Sequence, residues 1–287
     1  MKITALDIGG TAIKYGLFEN GHLTHRGETP SEAHKGGPRL MEVAKEVVKN
    51  LPPGERIAIS TSGQVEAGTG IIRYAGPTIP QYTGFNVKEI FETTFNKPVV
   101  VENDVKAAAT GEAAYGAGQG VADFLCLAYG TGVGGAIIMG GKVYPGANNS
   151  AGEVGQMVTH PEVENGQGFY ERYAAASILV ANVQRQHPHL TNGREIFAQI
   201  ENPAVKKIVD AWIHEVLCGI STLAHIFNPT LMVLGGGIME APYVLQALNA
   251  RKLDYLVPGL NNVQLKKAQL GNQAGLYGIG HIALTSC

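Results

Sequence analysis

One pattern occurs twice in the chain, 120 residues apart, and it restricts the possible folds more than any other feature. The pair Gly10-Thr11 follows an apolar run, and the pair Gly130-Thr131 follows another apolar run. Each pair precedes a second apolar stretch and a glycine at a hairpin position, Gly21 in the first copy and Gly141 in the second. Repeated strand–turn–strand units of this kind indicate two α/β halves whose glycine turns face one cleft.

Strand and helix signals alternate along both halves, as expected for an α/β protein. The dipeptide Asn20-Gly21 predicts a two-residue hairpin in the first half. Other strands are predicted at 3–6, 56–60, 98–102, 124–128 and 231–234, and helices at 38–51, 86–95, 105–115, 204–227 and 243–255. We therefore predict a first domain over 1–116 and a second over 117–271. A small-residue helix at 272–287 is expected to rejoin the first domain.

Charge and composition exclude several classes of protein. The 287 residues carry a formal net charge of −2, so a basic surface for nucleic acid is not expected. No apolar stretch reaches the roughly 18–20 residues of a membrane-spanning helix, and no signal peptide is evident. Cys126, Cys218 and Cys287 show no paired spacing, which is typical of free thiols in a reducing compartment. We expect a cytoplasmic protein without nucleic-acid or membrane partners.

The glycine-rich turns predict a role in phosphate binding. Glycine lets backbone N–H groups approach phosphate oxygens closely, and threonine adds a hydroxyl donor. Asp7 could hold Mg²⁺ beside the phosphates, and Lys14 could add positive charge there or lie exposed on the hairpin. A single turn would be read only as a tight connection between strands, but three such loops favour a nucleotide. The candidate nucleotide-binding residues are Gly9, Gly10, Thr11, Gly130, Thr131, Gly132, Gly134, Gly235, Gly236 and Gly237.

A carboxamide and a carboxylate stand side by side where a valine-rich strand meets a small-residue helix, in the run VVVENDVKAAATGE. Beside a bound nucleotide, Asp104 could accept the proton of an attacking hydroxyl that Asn103 holds by a hydrogen bond. The same pair could instead cap the helix that begins at Val105. The two roles are compatible, and the residues alone leave both open.

Six motifs in this order make nearly the whole chain resemble the ROK family of sugar kinases and repressors: DIGGTAIK, VENDVKAAATGE, GTGVGGAII, AGEVGQM, FNPTLMVLGGG and LGNQAGLYG. The resemblance implies an α/β fold of the actin/hexokinase type, with duplicated ribonuclease-H-like domains and an interdomain cleft. It implies MgATP as the phosphoryl donor, Asp104 as the catalytic base and a possible homodimer. The sugar-binding residues that it implies are Gly63, Asn103, Asp104, Glu153 and Glu171.

The chain departs from the family in the segment that binds a structural zinc in many members. Those members have a histidine after the Gly-Glu motif and a cysteine-rich run. Here Gln156 stands at the histidine position and no cysteine lies between Cys126 and Cys218, so we expect no structural zinc. By resemblance, the missing loop leaves room beside the anomeric end of the sugar, as in β-glucoside kinases. We therefore expect phosphorylation of the 6-hydroxyl of a glucose unit in a β-glucoside such as cellobiose.

Two alternatives remain at this point. The first is a kinase for a free hexose such as glucose, N-acetylglucosamine or N-acetylmannosamine. The second, of another class, is a non-catalytic sugar sensor or a transcriptional regulator. The family's repressors carry an N-terminal helix-turn-helix module, which we do not expect here because the first strand is predicted from Ile3. The presence of Asp7, Asn103 and Asp104 favours catalysis over sensing.

Overall fold

The structure is a computed structural model that describes residues 1–66 and 68–286. The chain separates into two compact units, the first with residues 1–120, 142–151 and 272–286, the second with residues 121–141 and 152–271. The segment 142–151, which we predicted in the second domain, groups with the first unit. Within that unit, the buried Lys106 ammonium donates hydrogen bonds to the backbone and side-chain oxygens of Asn149, and Asn149 Nδ2 donates to the Val65 carbonyl (2.8 Å). Cys287, at the end of the predicted C-terminal helix, lies outside the described residues.

Strands and helices alternate in both units. The strands are β1 (Lys2–Ile8), β2 (Ala12–Glu19), β3 (His22–Pro30), β4 (Arg56–Thr61), β5 (Gln64–Val65), β6 (Ile72–Tyr74), β7 (Val99–Asn103), β8 (Phe124–Tyr129), β9 (Val133–Met139), β10 (Lys142–Val143), β11 (Leu231–Gly235) and β12 (Gln264–Lys267). The α-helices are α1 (Gly37–Asn50), α2 (Val87–Phe95), α3 (Asp104–Tyr115), α4 (Glu171–Ala174), α5 (Ala176–Gln184), α6 (Gly193–Ala198), α7 (Pro203–Phe227), α8 (Pro242–Arg251) and α9 (Ala274–Thr285).

A five-stranded sheet in the order β3-β2-β1-β4-β7 forms the centre of the first unit. β2 runs antiparallel to β1 and β3, whereas β1, β4 and β7 are parallel. The turn residues Asn20 and Gly21 have φ angles of 50° and 79°, which confirms the predicted two-residue hairpin between β2 and β3. Leu6 and Ile8 pack among residues of α1 and α2, while Ile3 packs among residues of α3 and α9. Helices therefore cover both faces of the sheet.

The second unit has a sheet with the same arrangement, in which β9, β8, β11 and β12 are neighbours in that order. β8 and β9 are antiparallel, and β8, β11 and β12 are parallel. In strand order and direction, β9, β8, β11 and β12 match β2, β1, β4 and β7. The sequence repeat therefore corresponds to two copies of one sheet topology.

Several element boundaries differ from the sequence predictions. The helix predicted at 243–255 ends as α8 at Arg251 and continues as a 3₁₀ turn over Lys252–Tyr255. The helices α4 to α6 and the strand β12 had no prediction, because their segments are short and lack a clear apolar period. None of the helices described in 1–66 and 68–286 is both long and apolar enough to cross a membrane.

Close packing of α9 against α3 explains the small residues of the C-terminal helix. A Cβ atom at Gly278 would lie 1.6 Å from the carbonyl oxygen of Ala107 in α3, and one at Gly280 would lie 2.5 Å from the ring of Phe18. These distances are far below van der Waals contact, so only glycine fits at either position. Since α3 begins at Asp104, this contact also fixes the helix that carries the candidate base.

We predict that Gly278→Ala lowers the free energy of unfolding by about 2–3 kcal/mol, because the added methyl group forces α3 and α9 apart. Urea unfolding followed by circular dichroism measures the change. Gly76→Ala is the matched control, since a Cβ atom there meets nothing within 4 Å, and it should leave stability within about 0.5 kcal/mol of the starting protein. Equal stability of the two variants would contradict the packing described for α9.

Candidate active site

The predicted residues Gly63, Asn103 and Asp104 lie together at one edge of the sheet in the first unit. Thr61, at the end of β4, pairs in register with Asn103, at the end of the parallel neighbour β7. The chain segments that leave these two strands therefore start side by side. Gly63 has a φ angle of 104°, and a Cβ atom there would lie 2.8 Å from the Tyr74 carbonyl oxygen. The turn after β4 consequently requires glycine at this position.

The side chain of Asn103 joins this turn to the start of α3. Its Oδ1 accepts hydrogen bonds from the backbone N–H groups of Val105 (3.0 Å) and Lys106 (3.1 Å). Its Nδ2 donates to the Gly63 carbonyl (3.0 Å) and to Asp104 Oδ1 (2.9 Å). Asn103 is therefore the N-cap, and the helix begins at Asp104 rather than at the predicted Val105.

Asp104 is held at both carboxylate oxygens. Ser62 Oγ donates to Oδ2 (3.0 Å), and the Val105 backbone N–H donates to Oδ1 (2.9 Å). Burial raises the pKa of the Asp104 carboxyl, and the nearby negative charge of Asp7 raises it further, against the opposing hydrogen bonds from Ser62 and Val105. A raised pKa makes this carboxylate a better proton acceptor than an ordinary aspartate.

Asp7 lies on β1 opposite Lys14 on β2. Ser60 Oγ donates to Asp7 Oδ1 at 2.5 Å, and Lys14 Nζ lies 3.7 Å from Oδ2, so Lys14 is paired with this carboxylate. Burial raises the pKa of Asp7, opposed by the Ser60 hydrogen bond and the Lys14 charge. A Cβ atom at Gly275 of α9 would lie 2.7 Å from the Asp7 carboxyl carbon, so glycine there leaves the carboxylate its space.

The first glycine turn, 9–11, connects Asp7 and Lys14 through β1 and β2. The Gly9 N–H donates to the Ala12 carbonyl (3.0 Å), and the Thr11 carbonyl accepts from the Ser31 N–H (3.0 Å). Gly10 and Thr11 are exposed. The turn thus presents its backbone to a ligand next to a carboxylate and an ammonium group, as a magnesium-bound phosphate would require.

The second glycine turn, 130–132, is anchored through its carbonyl groups. Ser177 at the start of α5 donates from its N–H to the Gly130 carbonyl (3.2 Å) and from its hydroxyl to the Thr131 carbonyl (2.6 Å). Within the described part of the chain, no protein acceptor is found for the N–H groups of Thr131 and Gly132. A Cβ atom at Gly130 would meet nothing within 4 Å. This turn can therefore donate backbone hydrogen bonds to an anion that approaches Gly130.

The third glycine loop lies against the end of β8, beside the second turn. Gly236 has a φ angle of 100°, and a Cβ atom there would lie 2.1 Å from the Tyr129 carbonyl oxygen. Gly237 is open, with no atom within 4 Å of its Cβ position. Gly235 ends β11, and Gly134 pairs with Ala128 inside β9, so these two predicted nucleotide-binding residues belong to strands rather than to the turns.

Glu171 connects the second turn with the predicted sugar-binding segment of the same unit. Gln156 Nε2 donates to Glu171 Oε1 (2.9 Å), and a Cβ atom at Gly132 would lie 2.6 Å from Oε2. Glu153 is exposed and precedes the 3₁₀ turn Val154–Gln156. His160 is stacked on Tyr173 with ring centroids 3.5 Å apart, and its Nε2 lies 3.6 Å from Glu215 Oε2. Across residues 1–66 and 68–286, no three His, Cys, Asp or Glu side chains cluster closely enough to hold a metal ion.

Three residues at this site had no predicted role: Ser60, Ser62 and Gly275. Gln156 was noted only for its place in the zinc motif, and its hydrogen bond to Glu171 was not predicted. The run STSG at 60–63 contained a usable signal. Alternate residues of a strand share a face, and Ser60 pairs in register with Asp7. Ser60 therefore lies beside Asp7, as an assignment of β4 beside β1 would have predicted, whereas Ser62 follows the end of β4 and strand periodicity does not predict its contact with Asp104.

Comparison with known proteins identifies the family. The sequence profile of the ROK family matches residues 3–286. An uncharacterized protein of Clostridium perfringens is 42% identical over 284 residues, which cover 95% of this chain and 94% of that protein. A β-glucoside kinase of Listeria innocua is 33% identical over 288 residues, which cover 97% of this chain and 96% of that protein.

Two solved structures show the same fold. A ROK hexokinase from Thermus thermophilus is 30% identical, with a TM-score of 0.84 and full coverage of both chains. A ROK family glucokinase from Streptomyces griseus, in complex with glucose and AMPPNP, is 26% identical with a TM-score of 0.88, covering 98% of this chain and 99% of that chain. The predicted actin/hexokinase-like fold is confirmed, and the chain belongs to the ROK family.

Proposed function

We propose that the protein is an ATP-dependent kinase for the 6-hydroxyl of a glucose unit, with a β-glucoside such as cellobiose as the favoured substrate. The observation that carries the chemistry is the Asp104 carboxylate, held by Ser62, Asn103 and the helix N-terminus with its pKa raised. The β-glucoside kinase of Listeria innocua supports the substrate class. The predicted absence of a structural zinc, with Gln156 at the histidine position, supports the same choice.

In the proposed reaction, the 6-hydroxyl oxygen of the sugar forms a bond to the γ-phosphorus of ATP. The bond from that phosphorus to the β,γ-bridging oxygen breaks, and ADP leaves with the electron pair. The hydroxyl proton passes to Asp104, for which a pKa raised by burial is favourable. Ser62 and Asn103 keep the carboxylate in one orientation, so that little reorganisation is needed when the proton moves.

The nucleotide is assigned to the glycine turns and Asp7. The carboxylate of Asp7 is a hard oxygen donor next to an exposed Gly-Thr turn, so these residues fit the magnesium ion of MgATP. When bound, that ion supplies neutralisation of phosphate charge. The Thr131 and Gly132 N–H groups provide further hydrogen bonds to phosphate oxygens, and the loop at Gly237 is assigned to the nucleoside. Glu153 and Glu171 are assigned to sugar hydroxyls by the family resemblance.

A free-hexose kinase is the second candidate. The hexokinase from Thermus thermophilus and the glucose-bound glucokinase from Streptomyces griseus support it, because both align with nearly the whole chain. The two candidates share the proposed base and differ in what the site accepts at the anomeric end of the sugar.

We predict that MgATP-dependent ADP release, measured by a coupled assay, gives a higher kcat/KM with cellobiose than with glucose, N-acetylglucosamine or N-acetylmannosamine. Phosphorus NMR of the product should place the new phosphate on the 6-hydroxyl of the non-reducing glucose. A preference for glucose or an N-acetyl sugar would contradict the β-glucoside assignment while retaining a kinase. Absence of turnover with every sugar would contradict the kinase itself.

We predict that Ser62→Ala moves the acid limb of the kcat/KM–pH profile to higher pH. The Ser62 hydroxyl stabilises the ionised Asp104, so its loss raises the Asp104 pKa further. The base works as a carboxylate, so a raised pKa means that activity is lost at a higher pH as the solution is acidified. At pH values above the acid limb, kcat/KM should change little.

Ser286→Ala, which removes an exposed hydroxyl bonded to the Ile282 carbonyl, is the control and should leave the pH profile unchanged. An unshifted limb in Ser62→Ala would contradict Asp104 as the titrating base.

A further inference from the structure

The two carboxylate oxygens of Glu171 have different surroundings within the second unit. Oε2 faces glycine backbone, since a Cβ atom would lie 2.6 Å from it at Gly132 and 3.1 Å from it at Gly155. The Val133 N–H approaches the same oxygen at 3.4 Å. Oε1 accepts a hydrogen bond from the side-chain amide of Gln156 at 2.9 Å. One edge of the carboxylate therefore lies against backbone, and the other accepts a hydrogen bond from a side chain.

The backbone beside Oε2 does little to fix the orientation of the Glu171 carboxylate, because the Val133 N–H approaches that oxygen only to 3.4 Å. Glu171 is the first residue of α4, a helix of only four residues, and its side chain is half-buried. A glutamate that is not held by a partner samples several rotamers, and ordering it on binding weakens affinity by roughly two- to twelvefold. Gln156 removes part of that cost in advance.

The carboxylate keeps acceptor capacity after these contacts. Its two oxygens offer about four lone-pair sites, of which the Gln156 amide occupies one and the distant Val133 N–H approaches another. The remaining sites can accept hydrogen bonds from hydroxyl groups. Gln156 itself is exposed and lies in the short 3₁₀ turn Val154–Gln156, so its amide is free to serve this contact rather than the core.

We propose that Gln156 is a positioning residue that holds the Glu171 carboxylate in the orientation in which it accepts hydrogen bonds from the bound sugar. The proposal rests on the proposed function, because it takes Glu171 as a ligand of the sugar. It assigns to Gln156 an effect on sugar affinity and none on nucleotide affinity. The amide must donate for this role, so side chains of the same length without a donor should fail in it.

The test compares Q156M, which keeps the length of the side chain without a donor, with Q156E, which replaces the donor by a second carboxylate. Calorimetry measures the Kd of cellobiose and of glucose, and steady-state kinetics measures the KM of ATP. For Q156M we expect the sugar Kd to rise roughly three- to tenfold, with the ATP KM within twofold and an unchanged melting temperature. For Q156E at pH 8 the sugar Kd should rise further, because the introduced carboxylate repels the carboxylate of Glu171 and displaces it.

The pH dependence of Q156E separates positioning from a general structural effect. As the pH falls, the carboxyl group introduced by Q156E and the carboxyl group of Glu171 share one proton. The protonated group can then donate a hydrogen bond, as the Gln156 amide does in the wild-type protein. The ratio of the Q156E sugar Kd to the wild-type sugar Kd should therefore fall from pH 8 to pH 5.5. Taking the ratio removes titration of groups that both proteins share. Q199E, the same charge change at an exposed glutamine of the same unit, should show a ratio near one throughout.

Three results would overturn the proposal: a Q156M sugar Kd within twofold of wild type, an equal rise in the ATP KM, or a Q156E ratio that does not change with pH. Failure of the proposed function has a different signature. Wild-type protein that binds sugar but phosphorylates none overturns the kinase assignment, while the Kd series still decides the role of Gln156. Wild-type protein that binds neither sugar overturns both.

Discussion

The side-chain amide of Asn103 ties three segments of the first unit together at the carboxyl edge of its sheet. Its oxygen caps α3, and its nitrogen holds the turn at Gly63 and the carboxylate of Asp104. An N-cap of this kind contributes about 1 kcal/mol to a helix. Here it also fixes the first residue of that helix as a candidate base. α9 then holds the whole helix in place through the backbone contact at Gly278.

The electrostatics of the site follow from the closeness of Asp7 and Asp104. Burial raises the pKa of both carboxyl groups, and the charge of Asp7 raises that of Asp104 again. Each carboxylate has a serine that stabilises its ionised form, Ser60 for Asp7 and Ser62 for Asp104, and Lys14 adds positive charge beside Asp7. The balance leaves Asp104 ionisable but with a raised proton affinity. Such a group suits proton acceptance from a hydroxyl.

The second unit repeats the sheet topology with different residues around its glycine turn. Its glycine turn carries no aspartate, and the carbonyl groups of the turn are taken up by Ser177. The Thr131 and Gly132 N–H groups, which have no acceptor among the residues that the structure describes, are suited to an anion rather than a cation. Glu171 lies against this turn at Gly132, and Gln156 holds its other oxygen. Duplication thus provides two turns of common geometry, and their flanking residues decide what each can bind.

Much of the fold could be predicted from the sequence because its signals are local. The 120-residue repeat predicts the duplicated sheets, and Asn20-Gly21 predicts the hairpin, since both depend on neighbours in the chain. The contacts of Ser62 with Asp104 and of Gln156 with Glu171 span 42 and 15 residues, and they depend on which strands and loops become neighbours. The contacts of Asn149 with Lys106 and Val65, which link 142–151 to the rest of the first unit, are likewise distant in sequence. No local pattern marks such contacts.

The role of Asp104 as the base is tested by the rate of phosphoryl transfer in Asp104→Asn under single-turnover conditions. The substituted amide keeps the size of the side chain, and Asn103 still caps α3, so the melting temperature and the Kd values for sugar and MgATP should stay close to those of the wild-type protein. We predict a loss of roughly 10²–10⁴-fold in the transfer rate, because the proton acceptor is gone. A rate within a few-fold of wild type, with the protein folded and both substrates bound, would contradict Asp104 as the base.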